Sequence, residues 1–144
     1  LWYLNGGAVT EMAYNELNAE KQNEIIEYIK KLPLNIETIC NGKQYLLVHG
    51  SPASKYKEGV GQYVDKTEYA VWNRFDSQAD EFDPDITLIC GHTPTIHLSP
   101  KKPMEVFHSS NIWYIDCGCA YPTSEGGRLA CLCLETGCVC YSTL

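Results

Sequence analysis

Two stretches decide the fold: Tyr45-Leu46-Leu47-Val48-His49-Gly50-Ser51-Pro52 and Ile86-Thr87-Leu88-Ile89-Cys90-Gly91-His92-Thr93-Pro94-Thr95. Each is a short apolar run ending with a histidine beside a glycine, and a proline follows close behind. Four or five apolar residues bounded by turn formers read as a buried strand. A third such run, Ile112 to Asp116, ends at Asp116-Cys117-Gly118. Three strands each close on a chemically loaded turn, and loops positioned by rigid strands are where reactive groups collect.

Working outward, Asn5-Gly6-Gly7 is a turn signal, and a threonine-containing link follows it to about Tyr14. From Asn18 the residues Gln22, Ile25, Ile26, Ile29 and Leu32 recur at helical spacing, and Pro33 ends the helix. Ile36–Cys40 is a strand, joined to Tyr45–Val48 through Asn41-Gly42, the strongest two-residue hairpin signal. Residues 50–64 form a long loop. Asp65-Lys66-Thr67-Glu68 is a capping box that starts a short helix expected to carry Tyr69, Trp72 and Arg74. A polar loop with His97 and His108, both read as solvated, separates Gly91-His92 from Ile112. Leu129–Leu134 and Cys138–Tyr141 form a closing hairpin around Glu135-Thr136-Gly137. No internal repeat, low-complexity segment or linker divides the chain, which reads as one domain over 1–144.

With 144 residues, 44% hydrophobic and 20% charged, the composition is that of a globular domain. No run approaches the roughly 20 apolar residues of a membrane span, and no signal-peptide pattern is visible. The net charge of −7 disfavours nucleic acid, since no basic stripe exists to neutralise phosphates. Of eight cysteines, six fall in Cys-x-Cys pairs at 117/119, 131/133 and 138/140. Positions i and i+2 share one strand face, so the expectation is buried, reduced cysteine in a reducing, cytoplasmic compartment. A zinc site built from two neighbouring pairs is the alternative, although none has the Cys-x2-Cys spacing of a zinc ribbon.

A histidine at a strand end beside glycine has little steric cover, which suits a metal ligand; it can equally hydrogen-bond a turn carbonyl. Arg74, flanked by aromatics in Val71-Trp72-Asn73-Arg74-Phe75, can be a planar phosphate fork or a surface cation stacked on a ring. Asp116 is a further carboxylate at a strand end, or the cap of its own turn. The residues alone leave each of these pairs of readings open.

Taken together, Gly6–Tyr14 (GGAVTEMAY), Lys31–Pro33, Leu46–Pro52 (LLVHGSP), Val71–Phe75 (VWNRF), Ile89–Thr95 (ICGHTPT), Ile115–Tyr121 (IDCGCAY) and Gly126–Thr136 (GGRLACLCLET) resemble the C-terminal part of a calcineurin-like metallophosphoesterase. Bacterial serine/threonine protein phosphatases and diadenosine tetraphosphate hydrolases are the nearest types. The resemblance spans nearly the whole chain in the family's order, with His49-Gly50-Ser51 where His-Ala-Gly or His-Gly-Gly is more usual. It implies an α/β fold, part of a four-layer sandwich, around two divalent ions: manganese first, with iron or zinc as alternatives. It further implies that His49 and His92 ligate one ion and that Arg74 contacts substrate phosphate.

The implied activity is phosphomonoester hydrolysis, on a phosphoprotein or a phosphorylated small molecule, by a two-metal-activated hydroxide. The alternatives are a dinucleoside polyphosphate hydrolase and a non-catalytic binding or structural domain of the same fold. The family's early motifs, Asp-x-His, Gly-Asp-x-x-Asp-Arg-Gly and Gly-Asn-His-Glu, are absent from these 144 residues. The resemblance therefore implies the second half of an enzyme: inactive alone, with no catalytic acid of its own, and able to associate through the face that the first half would cover.

Overall fold

The structure, a computed structural model, describes residues 2–59, 61–99, 101 and 103–142. The chain divides into two compact units, Leu1–Pro33 and Leu34–Leu144.

In the first unit, helices α1 (Gly7–Asn15) and α2 (Ala19–Lys30) are joined by a tight turn. The expected link after Gly6 is thus a helix. Gly6, at φ 87°, supplies the turn, and Ala8, Glu11, Met12 and Ala13 are strong helix formers that need no polar cap. The Asn18 side chain caps α2 by accepting from the Lys21 N–H at 2.9 Å. Gln22 ties the two helices, its Nε2 donating to the Tyr14 carbonyl at 3.0 Å. No residue of α2 is buried within this unit; Ile29 is 55% exposed.

The second unit is built on a mixed sheet of β1 (Asn35–Cys40), β2 (Lys43–Val48), β3 (Ile86–Cys90), β4 (Phe107–Ser109) and β5 (Ile112–Tyr114), in the order β1-β2-β3-β5-β4. The apolar runs form the parallel centre, β2-β3-β5, with Val48 beside Cys90 and Cys90 beside Tyr114. Antiparallel strands flank it. Asn41 (φ 48°) and Gly42 (φ 74°) both take positive φ, as a two-residue type I′ hairpin requires. At the other edge, β4 replaces part of the expected polar loop. Ser110 at φ 54° turns the chain so that β4 pairs with β5, and the exposed His108 stacks on Trp113 at 4.8 Å.

Leu46, Leu88, Cys90, Ile112, Tyr114 and Phe75 form the core beneath the parallel strands. Tyr114 secures the Phe75 segment: its hydroxyl donates to the Phe75 carbonyl and accepts from the Ser77 N–H, both at 3.0 Å. Helix α3 (Lys66–Trp72) starts as expected, with Asp65 accepting from the Glu68 N–H at 2.8 Å. The Glu68 carboxylate reaches back to the Val64 N–H instead of that of Asp65. Arg74 is not on this helix. Asn73 takes an extended conformation (ψ 139°), so Arg74 lies past the helix end.

Strands β6 (Ala130–Leu132) and β7 (Val139–Tyr141) make the expected closing hairpin. Its cysteines overturn the expectation of buried pairs. All eight cysteines are free thiols, but only Cys90 and Cys117 are buried, and Cys119, Cys131, Cys138 and Cys140 are exposed. The half-buried Leu132 and Val139 occupy the alternate positions, so Cys131, Cys138 and Cys140 face outward, while Cys133 beside the turn is half-buried. Among the described residues, no helix is long and apolar enough to cross a membrane.

Candidate metal centre

Because β2, β3 and β5 are parallel neighbours, their carboxyl ends lie along one edge of the sheet. That edge is where open α/β sheets place ligands. His49 follows Val48, His92 lies two residues past Cys90, and Asp116 lies two past Tyr114. The Gly91 N–H donates to the His49 carbonyl at 2.9 Å, and the Ile115 N–H to the Cys90 carbonyl at 2.9 Å, so the ladder continues into these turns.

The His49 and His92 rings stand 4.9 Å apart, centroid to centroid, inclined at 46°. Two imidazoles bonded to one ion at about 2.1 Å, at coordination angles between about 90° and 110°, would have centroids about 4.5–5.2 Å apart. The observed spacing fits a shared ion.

His92 is held unusually. Its φ of 62° is one that a side chain with a Cβ seldom adopts, and the turn is closed by the Thr93 N–H on the Gly91 carbonyl at 2.6 Å. Such a conformation costs on the order of 1–3 kcal/mol and persists where the surroundings enforce it. Here they do so from the segment after α3. The His92 Nε2 lies 3.3 Å from the Trp72 carbonyl, and Arg74 Nη1 donates to the His92 carbonyl at 3.2 Å. The Trp72 ring meets the imidazole edge-on at 5.9 Å.

A carbonyl can only accept, so the Nε2 contact selects the tautomer protonated there and leaves Nδ1 with its lone pair. A backbone carbonyl on the far nitrogen is the usual arrangement behind a metal-binding imidazole. Partial burial pushes the His92 pKa below its ordinary value; His49 and Arg74 push it further, partly offset by the Trp72 carbonyl and Asp116. The neutral ring, the form that binds metals, is favoured.

Gly50 allows α3 to approach. A Cβ there would lie 2.5 Å from the Asn73 carbonyl oxygen and 3.1 Å from that of Ala70. The Gly50 and Ser51 N–H groups both donate to the Ala70 carbonyl at 3.1 Å, and Asn73 Nδ2 donates to Ser51 Oγ at 2.8 Å. The end of α3 is thereby fixed to the turn that carries His49.

The structure thus brings His49, His92 and Arg74 together, with Arg74 engaged on the His92 main chain. Asp116 caps its own turn, accepting from the Gly118 N–H at 3.0 Å. Among the described residues, no group of three or more His, Cys, Asp or Glu side chains is arranged to hold an ion. The two imidazoles fit one ion as a partial ligand set. A cavity of about 530 Å³ lined by Glu37, Ile39, Tyr45, Lys55 and Phe82 lies elsewhere and includes none of the three site residues. Sequence reasoning missed Trp72 as the partner of His92, since a main-chain acceptor has no side-chain signal. No protein-family model matches the chain, and no curated protein matches it significantly.

Proposed function

We propose that this chain supplies the two-histidine part of a divalent-metal site in a metal-dependent phosphoesterase of the calcineurin-like type. Its sheet would be half of a four-layer sandwich, and the substrate a phosphomonoester, with phosphoserine or phosphothreonine in a protein as the first choice. The observation that carries this reading is the 4.9 Å ring pair at the carboxyl ends of adjacent parallel strands.

His49 and His92 would hold one ion of the pair, manganese in the first instance. The ions, when bound, supply Lewis-acid charge to a phosphoryl oxygen. The chain's own contribution is positional. The Trp72 carbonyl orients the His92 ring, and Arg74 braces the turn behind it while carrying a guanidinium suited to phosphate. Hard oxygen ligands for a two-ion centre would come from residues beyond these.

Manganese titrated into the protein should broaden the His49 and His92 ring resonances together and before those of His97 and His108. Equal broadening of all four would end the assignment. In a protein joining this chain to the family's early motifs, His92→Ala should lower turnover of a phosphopeptide by at least about 10²-fold, the scale of losing a charge-stabilising group. Unchanged turnover would refute the proposed role.

A further inference from the structure

The last hairpin places four thiols on one face. Cys131 in β6 pairs directly with Cys140 in β7, and the Cys133 N–H donates to the Cys138 carbonyl at 2.9 Å one step nearer the turn. Since side chains alternate along a strand, Cys131 and Cys133 project to the same side as their partners. On that side Cys131, Cys138 and Cys140 are exposed, where thiols gain nothing from burial, and Cys133 is half-buried.

The four are not equivalent. The Cys133 Sγ donates to Glu135 Oε2 at 3.2 Å and is half-buried. Cys138 flanks the turn, where the Cys133 carbonyl accepts from Gly137 and the Cys138 N–H turns instead to Thr136 Oγ1 at 3.2 Å. Cys131 and Cys140 are both exposed and lie in regular ladder. The ladder alternates between Cys133→Cys138 and Ser142→Leu129 bonds, which makes Cys131/Cys140 a hydrogen-bonded pair. Such a pair has Cα atoms about 5.5 Å apart, inside the usual disulfide range, and Cβ atoms toward the far end of about 4.5–5.5 Å. Closing the bond must therefore draw the strands together, which leaves it readily reducible. Neighbours along one strand, such as Cys131 and Cys133, are about 6.8 Å apart, at its outer limit. Cross-strand closure is therefore favoured over closure along a strand.

Among the described residues, no group of three or more of these thiols is arranged to hold an ion. The chemistry of this face is that of a pair.

We propose that Cys131 and Cys140 form a reversible dithiol–disulfide couple that exchanges with low-molecular-weight disulfides of the glutathione class. One thiolate attacks the small disulfide, forming a mixed disulfide and expelling one small thiolate. The partner thiolate then attacks the protein-side sulfur, closing Cys131–Cys140 and expelling the second. Two protein thiols lose two electrons and two protons, and the small disulfide becomes two thiols.

The test equilibrates the whole chain in reduced and oxidised glutathione at graded ratios, quenches with acid and caps with N-ethylmaleimide. Proteolysis after Glu135 then separates Cys131 and Cys133 from Cys138 and Cys140. The expected result is one linked peptide pair, assigned to 131–140 by fragmentation, that forms and reverses with a single midpoint. In Cys131→Ser, an exposed substitution, Cys140 should instead accumulate the glutathione adduct. Any of three results would overturn the proposal: stable adducts on wild-type Cys131 and Cys140 with no link between them, links spread evenly over the four thiols, or covalent dimers.

Discussion

His92 and Trp72 are joined ring to main chain, with the imidazole Nε2 3.3 Å from the Trp72 carbonyl. Two residues on, Arg74 returns a hydrogen bond to the His92 carbonyl. The pair of contacts locks a strained turn against the end of a helix, and the helix end is itself fastened to the turn of His49. The site's geometry is therefore a property of α3 as much as of the two strands.

The strain at His92 can be separated from its ring. His92→Ala and His92→Gly both remove the imidazole, but glycine accepts φ 62° without steric cost. Both variants should lose manganese binding, and His92→Gly should be the more stable by about 1 kcal/mol in urea unfolding. Equal stability would show that the turn relaxes once the ring is gone.

Acid should weaken the fold through the same residue. The His92 pKa lies below the ordinary value of 6.5 because burial, His49 and Arg74 disfavour its charged form. Between the folded and unfolded pKa values the unfolded chain binds more protons, so stability rises with pH through that window. This contribution is complete above about 6.5 and is lost as pH falls through the folded value. His92→Asn should flatten the dependence below pH 6.5 in denaturant melts. Arg74→Ala should move the His92 titration upward by NMR, since it removes a cation that opposes protonation.

The strands and the hairpin turn were legible because each rests on a local signal: an apolar run of β-rich residues, or Asn41-Gly42 with its two positive φ values. What escaped was set by context. Helix α1 has neither a polar cap nor an amphipathic stripe, and β4 is a three-residue edge strand whose reason to exist is its neighbour β5. The cysteines of the last hairpin share a face as their period of two suggests, whereas Cys117 is buried and Cys119 exposed because they lie in a turn beyond β5. Periodicity also cannot say which face meets the core. The histidine pair was readable as two strand ends. That they would adjoin depends on β2 and β3 being parallel neighbours, which no short stretch encodes.

Tyr114 should prove a stability residue with an effect on the site. Tyr114→Phe keeps the ring in the core but strands the Phe75 carbonyl and the Ser77 N–H. A cost of about 1–3 kcal/mol is expected from the unsatisfied groups. The looser Phe75 segment should also weaken the Arg74 contact with His92, visible as a shift of the His92 ring resonance. Gly50→Ala should act from the other side at about 1–3 kcal/mol, because its Cβ would meet main-chain oxygens that cannot rotate away.

Thiol reactivity should divide the cysteines sharply. Burial pushes the Cys90 thiol up to about 12 and raises Cys117 as well. At pH 8 the Cys90 thiolate fraction would be about one in 10⁴, so native alkylation should spare Cys90 and Cys117 while labelling Cys119, Cys131, Cys138 and Cys140. Fast labelling of Cys90 would mean that the sheet opens between β2 and β5.

The chain on its own should hydrolyse p-nitrophenyl phosphate no faster than buffer, even with excess manganese. His49 and His92 can hold one ion at the observed spacing, but among the described residues no third donor stands beside them and Asp116 is committed to its turn. One ion held by two nitrogens lacks the second ion needed to stabilise both attacking and leaving oxygens. It also lacks an acid for the leaving group, a contribution typically worth about 10²–10⁴-fold. The comparison that decides is the same assay on His92→Ala: both proteins should match buffer. Manganese-dependent turnover by the wild-type chain that His92→Ala abolishes would show a complete centre within these residues, and the partial-site reading would fall.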